Sequence, residues 1–203
     1  MINYTIISSG SKGNCVIIEN VMIDCGVPFK KIKECLYNIN YLLITHIHSD
    51  HLNKSCVKQI RKLFPNIKII GNYEVAQEID VDVIANAGYD VNTKDYTFFP
   101  FECVHDVLCY GYIWNVNGFR IIYATDTNNL DILHNNGIKY DYIFIESNYD
   151  EVKIKNAKRT KGYDPKLSAL RHMSKQKATE FYYVNRRDNN SKFIELHKSE
   201  RFY

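Results

Sequence analysis

Tyr41-Leu42-Leu43-Ile44 is a short apolar run that opens directly onto Thr45-His46-Ile47-His48-Ser49-Asp50-His51. An apolar run bounded by polar residues reads as a buried strand. Four metal-capable side chains, His46, His48, Asp50 and His51, therefore collect at one strand end, and the chain has only seven histidines. If the strand continues through Thr45, His46 and His48 project from one face, because side chains two apart share a side of an extended backbone. Asp50 and His51 then fall at the following turn, able to point at a neighbouring position. Imidazole and carboxylate together suit zinc, manganese or iron, and an adjacent carboxylate can orient or deprotonate a bound water. Any fold available to this chain must therefore bury the strand and leave its end open to an ion.

With 203 residues, 45% of them hydrophobic and 24% charged, the chain has the makings of one globular core, and a single domain over residues 1–203 is expected. No run approaches the apolar length that spans a bilayer, and the first residues lack a basic stretch followed by an apolar one. A soluble, cytoplasmic protein without a membrane partner is the expectation. Cys15, Cys25, Cys35, Cys56, Cys103 and Cys109 form no CxxC pair, so they read as small buried residues of a reducing compartment. The net charge of +3 is unevenly divided. Residues 1–150 carry 12 Lys/Arg against 17 Asp/Glu, whereas residues 151–203 carry 14 against 6. A basic C-terminal quarter fits an anionic substrate or nucleic acid, and equally a solvated face.

Along the chain, Tyr4–Ser8 reads as a strand, Ser8 to Asn14 as a turn of small residues, and Cys15–Glu19 with Val21–Asp24 as a hairpin. Pro28 can open a helix through Leu36. Lys54–Leu63 is a helix stopped by Pro65, Ile67–Ile70 a strand and Tyr73–Ile79 a short helix. Thr97–Val104 is a strand that delivers His105. Asn117-Gly118 joins Gly111–Val116 to Phe119–Ala124 as a tight hairpin. Tyr142–Glu146 is a strand, Asp150–Asp164 a loop or surface helix, and Ser174–Tyr183 and Asn189–His197 are expected to be helical. Strands alternating with helices, followed by a strand-rich half, predict an α+β chain with two packed sheets and helices outside, an αββα sandwich.

The run His46-Ile47-His48-Ser49-Asp50-His51 resembles the HxHxDH signature of the metallo-β-lactamase fold. His105, after a strand, and Asp126 in Tyr123-Ala124-Thr125-Asp126-Thr127 resemble that fold's later ligands in order and spacing. Ser8-Ser9-Gly10-Ser11-Lys12-Gly13-Asn14-Cys15 with Met22-Ile23-Asp24-Cys25-Gly26 is similar to the opening of the YycJ/WalJ-like subgroup of nuclease-like members. His172-Met173-Ser174 with Ala178, and Arg187-Asp188-Asn189-Asn190-Ser191, are similar to segments near that subgroup's end.

The resemblance implies a first metal site of His46, His48 and His105. It implies a second of Asp50, His51 and Asp126, with Asp126 bridging and a hydroxide shared between two Zn²⁺ or Mn²⁺ ions as nucleophile. Asp50 would hold that water, His172 would face a phosphate or protonate the leaving oxygen, and Asp24 would support the ligand loop. Ser174 reads independently as the N-cap of its helix, an arrangement that can hold a phosphate. Subgroup members carry one more histidine, and alignment puts Asn185 in its place, which predicts weaker zinc binding at the second site: it would hold a harder metal such as Mn²⁺, take His172 as replacement ligand, or leave only one metal bound. His134 and His197 read as surface residues. Tyrosines of the C-terminal half, Tyr163 among them, could stack bases but read mainly as packing.

The expected activity is a metal-dependent phosphodiesterase or nuclease acting on nucleic acid or a nucleotide. A hydrolase of thioesters, lactones or β-lactams, or a metal-binding but non-catalytic nucleic-acid or protein binder, are the alternatives. The oligomeric state is open at this stage.

Overall fold

The computed structural model describes residues 1–133, 137–162 and 164–203, so the readings of His134 and Tyr163 lie outside the described residues. Twelve described strands form two sheets of six. The first contains β1 (Tyr4–Ser8), β2 (Cys15–Ile18), β3 (Val21–Ile23), β4 (Tyr41–Ile44), β5 (Lys68–Gly71) and β6 (Val83–Ile84), side by side in chain order. The second contains β7 (Val91–Asn92), β8 (Thr97–Cys103), β9 (Cys109–Val116), β10 (Phe119–Ala124), β11 (Tyr142–Glu146) and β12 (Lys192–Leu196), also in chain order. Each sheet begins as an antiparallel meander and continues in parallel: β3 to β6 in the first, β10 to β12 in the second.

Alternation within the strands places the layers. Leu43 faces the space between the sheets, where it joins Val16, Ile18, Tyr112, Trp114, Tyr123 and Phe144. Leu42 and Ile44 face outward, into a cluster with Ile32, Val57, Ile60 and Val75. On the far side Ile122, Ile143 and Ile145 pack against Met173, Ala178 and Phe181. The inter-sheet core has a division of labour: the first sheet supplies aliphatic side chains, the second most of the aromatic ones. Large groups from one layer fill the gaps between smaller groups of the other, which is how close packing is reached.

The outer helices are α1 (Lys54–Leu63), α2 (Tyr73–Glu78), α3 (Glu151–Lys155), α4 (Pro165–Ala169) and α5 (Lys175–Asn185). Asn53, Asn72, Asp150, Asp164 and Ser174 cap them, each side chain accepting a backbone N–H of the first turn. The four-layer αββα arrangement expected from the sequence is the one formed.

Two local expectations fail. The stretch after Pro28 forms two 3-10 turns, Phe29–Lys31 and Cys35–Asn38, instead of one helix to Leu36. The larger correction is at the C-terminus, where Asn189–His197 holds the strand β12 and not a helix. Its five residues pair in parallel with β11, Tyr142↔Lys192 through Glu146↔Leu196. So short an apolar segment fits either period, and the partner that selects the strand lies about fifty residues earlier.

Candidate metal centre

The strand ends of both sheets open onto one rim. β4 ends at Ile44, one residue before Thr45, and the chain leaves the ladder there. Thr45 N–H and Oγ1 both donate to Asp24, the residue after β3. His46, His48, Asp50 and His51 therefore sit on a tight loop instead of a continuing strand, with His51 N–H donating to the His48 carbonyl at 2.9 Å. Gly26 makes that loop possible. A Cβ on it would lie 1.7 Å from the Asp50 carbonyl oxygen, so no other residue fits without moving the loop.

Three imidazoles converge first. His46 Nε2 lies 3.1 Å from His48 Nδ1, and His105 Nε2 lies 3.2 Å from that same atom. Tetrahedral zinc–nitrogen bonds of about 2.0–2.1 Å set neighbouring ligand nitrogens about 3.3 Å apart, so the trio has the spacing a cation requires. Burial, with His51 nearby, holds His46 far below the usual imidazole range, which keeps it neutral and its lone pair available.

The second cluster is richer in carboxylate. His51 Nε2 is 2.9 Å from Asp126 Oδ2 and 3.6 Å from Asp50 Oδ2. Its Nδ1 is held by Asp24 Oδ2 at 2.7 Å. Burial opposes charge on His51, but Asp126 and Asp24 outweigh it and push its pKa up to about 10. The space between His51 Nε2 and Asp126, with His46 beside it, is a position a cation can take. Asn14, from the small-residue turn, reaches the same place: its Nδ2 lies 2.8 Å from His51 Nε2 and 3.3 Å from Asp50 Oδ2. Its backbone N–H donates to the Asp50 carbonyl, so the first turn locks the ligand loop.

His197 completes this cluster. It is buried, and its Nε2 lies 3.6 Å from Asp126 Oδ1 and 4.0 Å from Asp50 Oδ2 with no hydrogen-bond partner. With Asp50 and His51 it forms a group whose ligand atoms are close enough together to hold a metal ion. His197 reads as a surface residue from sequence because no other ligand-type residues form a constellation around it. As the residue after β12, it is delivered to the common rim by the parallel pairing with β11.

Asn185 is elsewhere. It ends α5, buried, with its Nδ2 donating to the Phe181 carbonyl at 2.9 Å and its carbonyl accepting from Tyr140 N–H. It is a helix-end residue, and its side chain is used to close α5 instead of joining the cluster. Ser174 does not join the cluster either. Its hydroxyl accepts from Lys177 N–H and donates to Glu151, while Lys175 N–H is taken by the Tyr149 carbonyl.

Glu146, at the end of β11, is a residue the sequence reading missed. Fully buried, it bonds His172 Nδ1 at 2.6 Å and His197 Nδ1 at 3.0 Å through Oε1, and accepts Thr127 N–H through Oε2 at 2.9 Å. Burial would raise its pKa, but the bonds from His172 and His197 hold it below the usual carboxylate range. Burial likewise opposes charge on His172, and Glu146 reverses the balance and raises its pKa. The available signal was a charged residue closing an otherwise apolar strand.

A shared backbone device turns the ligands inward. Asp24 and His197 follow directly on a strand and Asp126 follows one residue later, and each adopts a positive φ, 60°, 52° and 51° respectively. Left-handed backbone at non-glycine residues is uncommon and gathers at functional sites. Beside the cluster, a cavity of about 410 Å³ is lined by His172, His197, Asn148, Ser168 and the Ser8–Lys12 turn.

The donor set and the architecture define the class: the chain has the metallo-β-lactamase fold. Among solved structures it is similar to the metallo-β-lactamase-fold protein YhfI from Bacillus subtilis (TM-score 0.74, 13% identity, 98% of this chain and 86% of that one). It is also similar to a diphosphatase of the PhnP family (0.68, 15%, 100% and 89%) and to the short form of human tRNase Z (0.67, 15%, 99% and 93%). In sequence it is similar to exodeoxyribonuclease WalJ of Streptococcus pneumoniae, 39% identical over 61 aligned residues. That match covers 25% of this chain and only 23% of the relative's length. No family profile matches the chain. Among the described residues, no helix is long and apolar enough to cross a membrane.

Proposed function

We propose that the protein is a metal-dependent phosphodiesterase acting on nucleic acid, of the WalJ-like kind. The observation that carries this reading is the joining of two donor clusters by Asp126, with the Glu146–His172 pair beside them. His46, His48 and His105 would hold one divalent ion, and Asp50, His51 and His197 the other, with Asp126 between. Zinc suits the all-imidazole first site, and zinc or manganese the mixed second one. Bound cations supply neutralisation of phosphate charge and bring the pKa of water toward neutrality.

The chain's own groups do the rest. Asp50, contacted by Asn14 Nδ2 at 3.3 Å, is the carboxylate placed to orient a water and take its proton. Glu146 occupies His172 Nδ1, which fixes the ring and favours its protonated form, leaving Nε2–H to be handed to a departing oxygen in the cavity. Polar groups line much of this cavity, including Ser8, Ser9, Ser11 and Lys12, which suits a phosphodiester better than an apolar acyl group. The names of the similar proteins, an exodeoxyribonuclease, a tRNase and a diphosphatase, support the same chemistry. The six cysteines are all free, in keeping with a cytoplasmic location.

The test is hydrolysis of bis-p-nitrophenyl phosphate and of DNA with Mn²⁺ or Zn²⁺ supplied. Turnover lost in Asp126→Asn supports the reading. Hydrolysis of a thioester or lactone with none of a phosphodiester overturns it.

A further inference from the structure

Residues 150–171 leave the second sheet after β11 and return at His172. The two ends of this excursion are tied together: Tyr149 bridges to Ser174, and Asp150 N–H donates to the Phe202 carbonyl at 2.7 Å. Between them lie α3 and α4. Residues 151–171 carry 7 Lys/Arg against 2 Asp/Glu, net +5, which leaves the remainder of the chain at −2. All seven basic side chains are exposed. Lys153 is held by the Tyr203 carbonyl, and Arg171 pairs with Asp106 at 3.0 Å. No carboxylate among the described residues lies within ion-pair range of Lys155, Lys158, Arg159, Lys161 or Lys166.

The arm is also continuous with the site. Ser168 and His172, at its end, line the cavity that reaches His197, whereas none of the five unpaired cations does. A single nucleotide filling the cavity would leave those five without a phosphate. Lysine and arginine offer donors only, so the complementary surface is a polyanion. A polyanion that continues from a phosphodiester-cleaving centre is a nucleic-acid strand, and the similarity to an exodeoxyribonuclease selects DNA.

We propose that this arm is the track along which the backbone of a DNA strand runs into the metal centre, so that the substrate is a polymer. The proposal rests on the phosphodiesterase reading of the site. Its test is binding of a 20-mer DNA to the full-length, metal-loaded protein by fluorescence anisotropy between 50 and 300 mM salt. The comparison is with K155Q/K158Q/R159Q/K161Q, whose metal content verifies an intact centre. Each lost phosphate contact removes about 0.7 from the log–log salt slope on a single strand, so four flatten it by about three and weaken binding at 50 mM salt about tenfold or more. An unchanged slope and affinity overturns the proposal, and tighter binding of an RNA of the same sequence overturns the choice of DNA. Wild-type protein that binds DNA in this way yet hydrolyses no phosphodiester would sink the reading of the site and leave the track standing.

Discussion

The two sheets share a plan and deliver their donors differently. The first sheet places His46, His48, Asp50 and His51 on one loop after β4, with Asp24 after β3 behind them. The second supplies His105 after β8, Asp126 after β10, Glu146 at the end of β11 and His197 after β12, one from each strand. The first sheet gathers its donors from sequence neighbours, although Asn14, Asp24 and Gly26 from earlier in the chain hold that loop in place. The second gathers its donors from four separate strand ends, which meet through the register of the sheet.

The sharpest way to break this comparison is to remove one donor from each side. His48→Ala and His197→Ala are both expected to abolish phosphodiester turnover, and each to lower bound metal by about one equivalent, read by elemental analysis. Full metal content in His197→Ala would mean that the second sheet does not complete a site. Next come the supporting carboxylates. Asp24→Asn and Glu146→Gln should each cost about 10–100-fold in metal affinity or turnover. Glu146→Gln should fall at the severe end, because Glu146 orients two histidines where Asp24 orients one.

Packing separates the sheets on a smaller scale. Trp114→Ala, from the aromatic layer, should destabilise the fold by about 3–5 kcal/mol, and Leu43→Ala, opposite it, by about 2–5 kcal/mol. Urea denaturation measures both, and a wider gap would show which layer collapses more easily into the space. Asn185→His should leave zinc content unchanged, since position 185 faces the Phe181 carbonyl and not the metal centre. A rise in occupancy would restore the alignment that the structure removes.

The smallest expected effect lies at the edge of the first sheet. Asp82 is partly buried, which alone would raise its pKa, but the Ile69 N–H and Arg61 hold it below the ordinary carboxylate value. A depressed folded pKa gives stability that is present above the unfolded value near 4 and lost as pH falls through the folded one. Asp82→Asn should therefore cost about 1 kcal/mol at pH 7, with the difference shrinking below about pH 4.

Much of this was legible beforehand, for reasons that differ along the chain. The HxHxDH loop, the Asn117-Gly118 hairpin and the four-layer plan were readable because each is encoded by residues close together. His105 and Asp126 were singled out by their resemblance in order and spacing to the fold's later ligands, each after a strand that its apolar run made readable. His197 was missed because nothing near it in sequence forms a constellation with it. Asn185 took the place of a ligand only through the alignment with the subgroup's last histidine. Glu146 went unnoticed because nothing in its own segment reveals the two histidines it meets.

By itself, then, the sequence marked His46, His48, Asp50 and His51 as cation-binding candidates and indicated where most strands lie and that two sheets pack together. Those are consequences of side-chain chemistry and short-range periodicity. Only the tertiary structure decided that His197 and not Asn185 lies beside Asp50 and Asp126, that Glu146 bonds it from behind, and that Ser168 and His172 line the cavity next to it. The physical reason is the parallel ladder of β10, β11 and β12. It aligns the ends of strands about twenty and fifty residues apart in the chain, and no local pattern carries the information of which ends will meet.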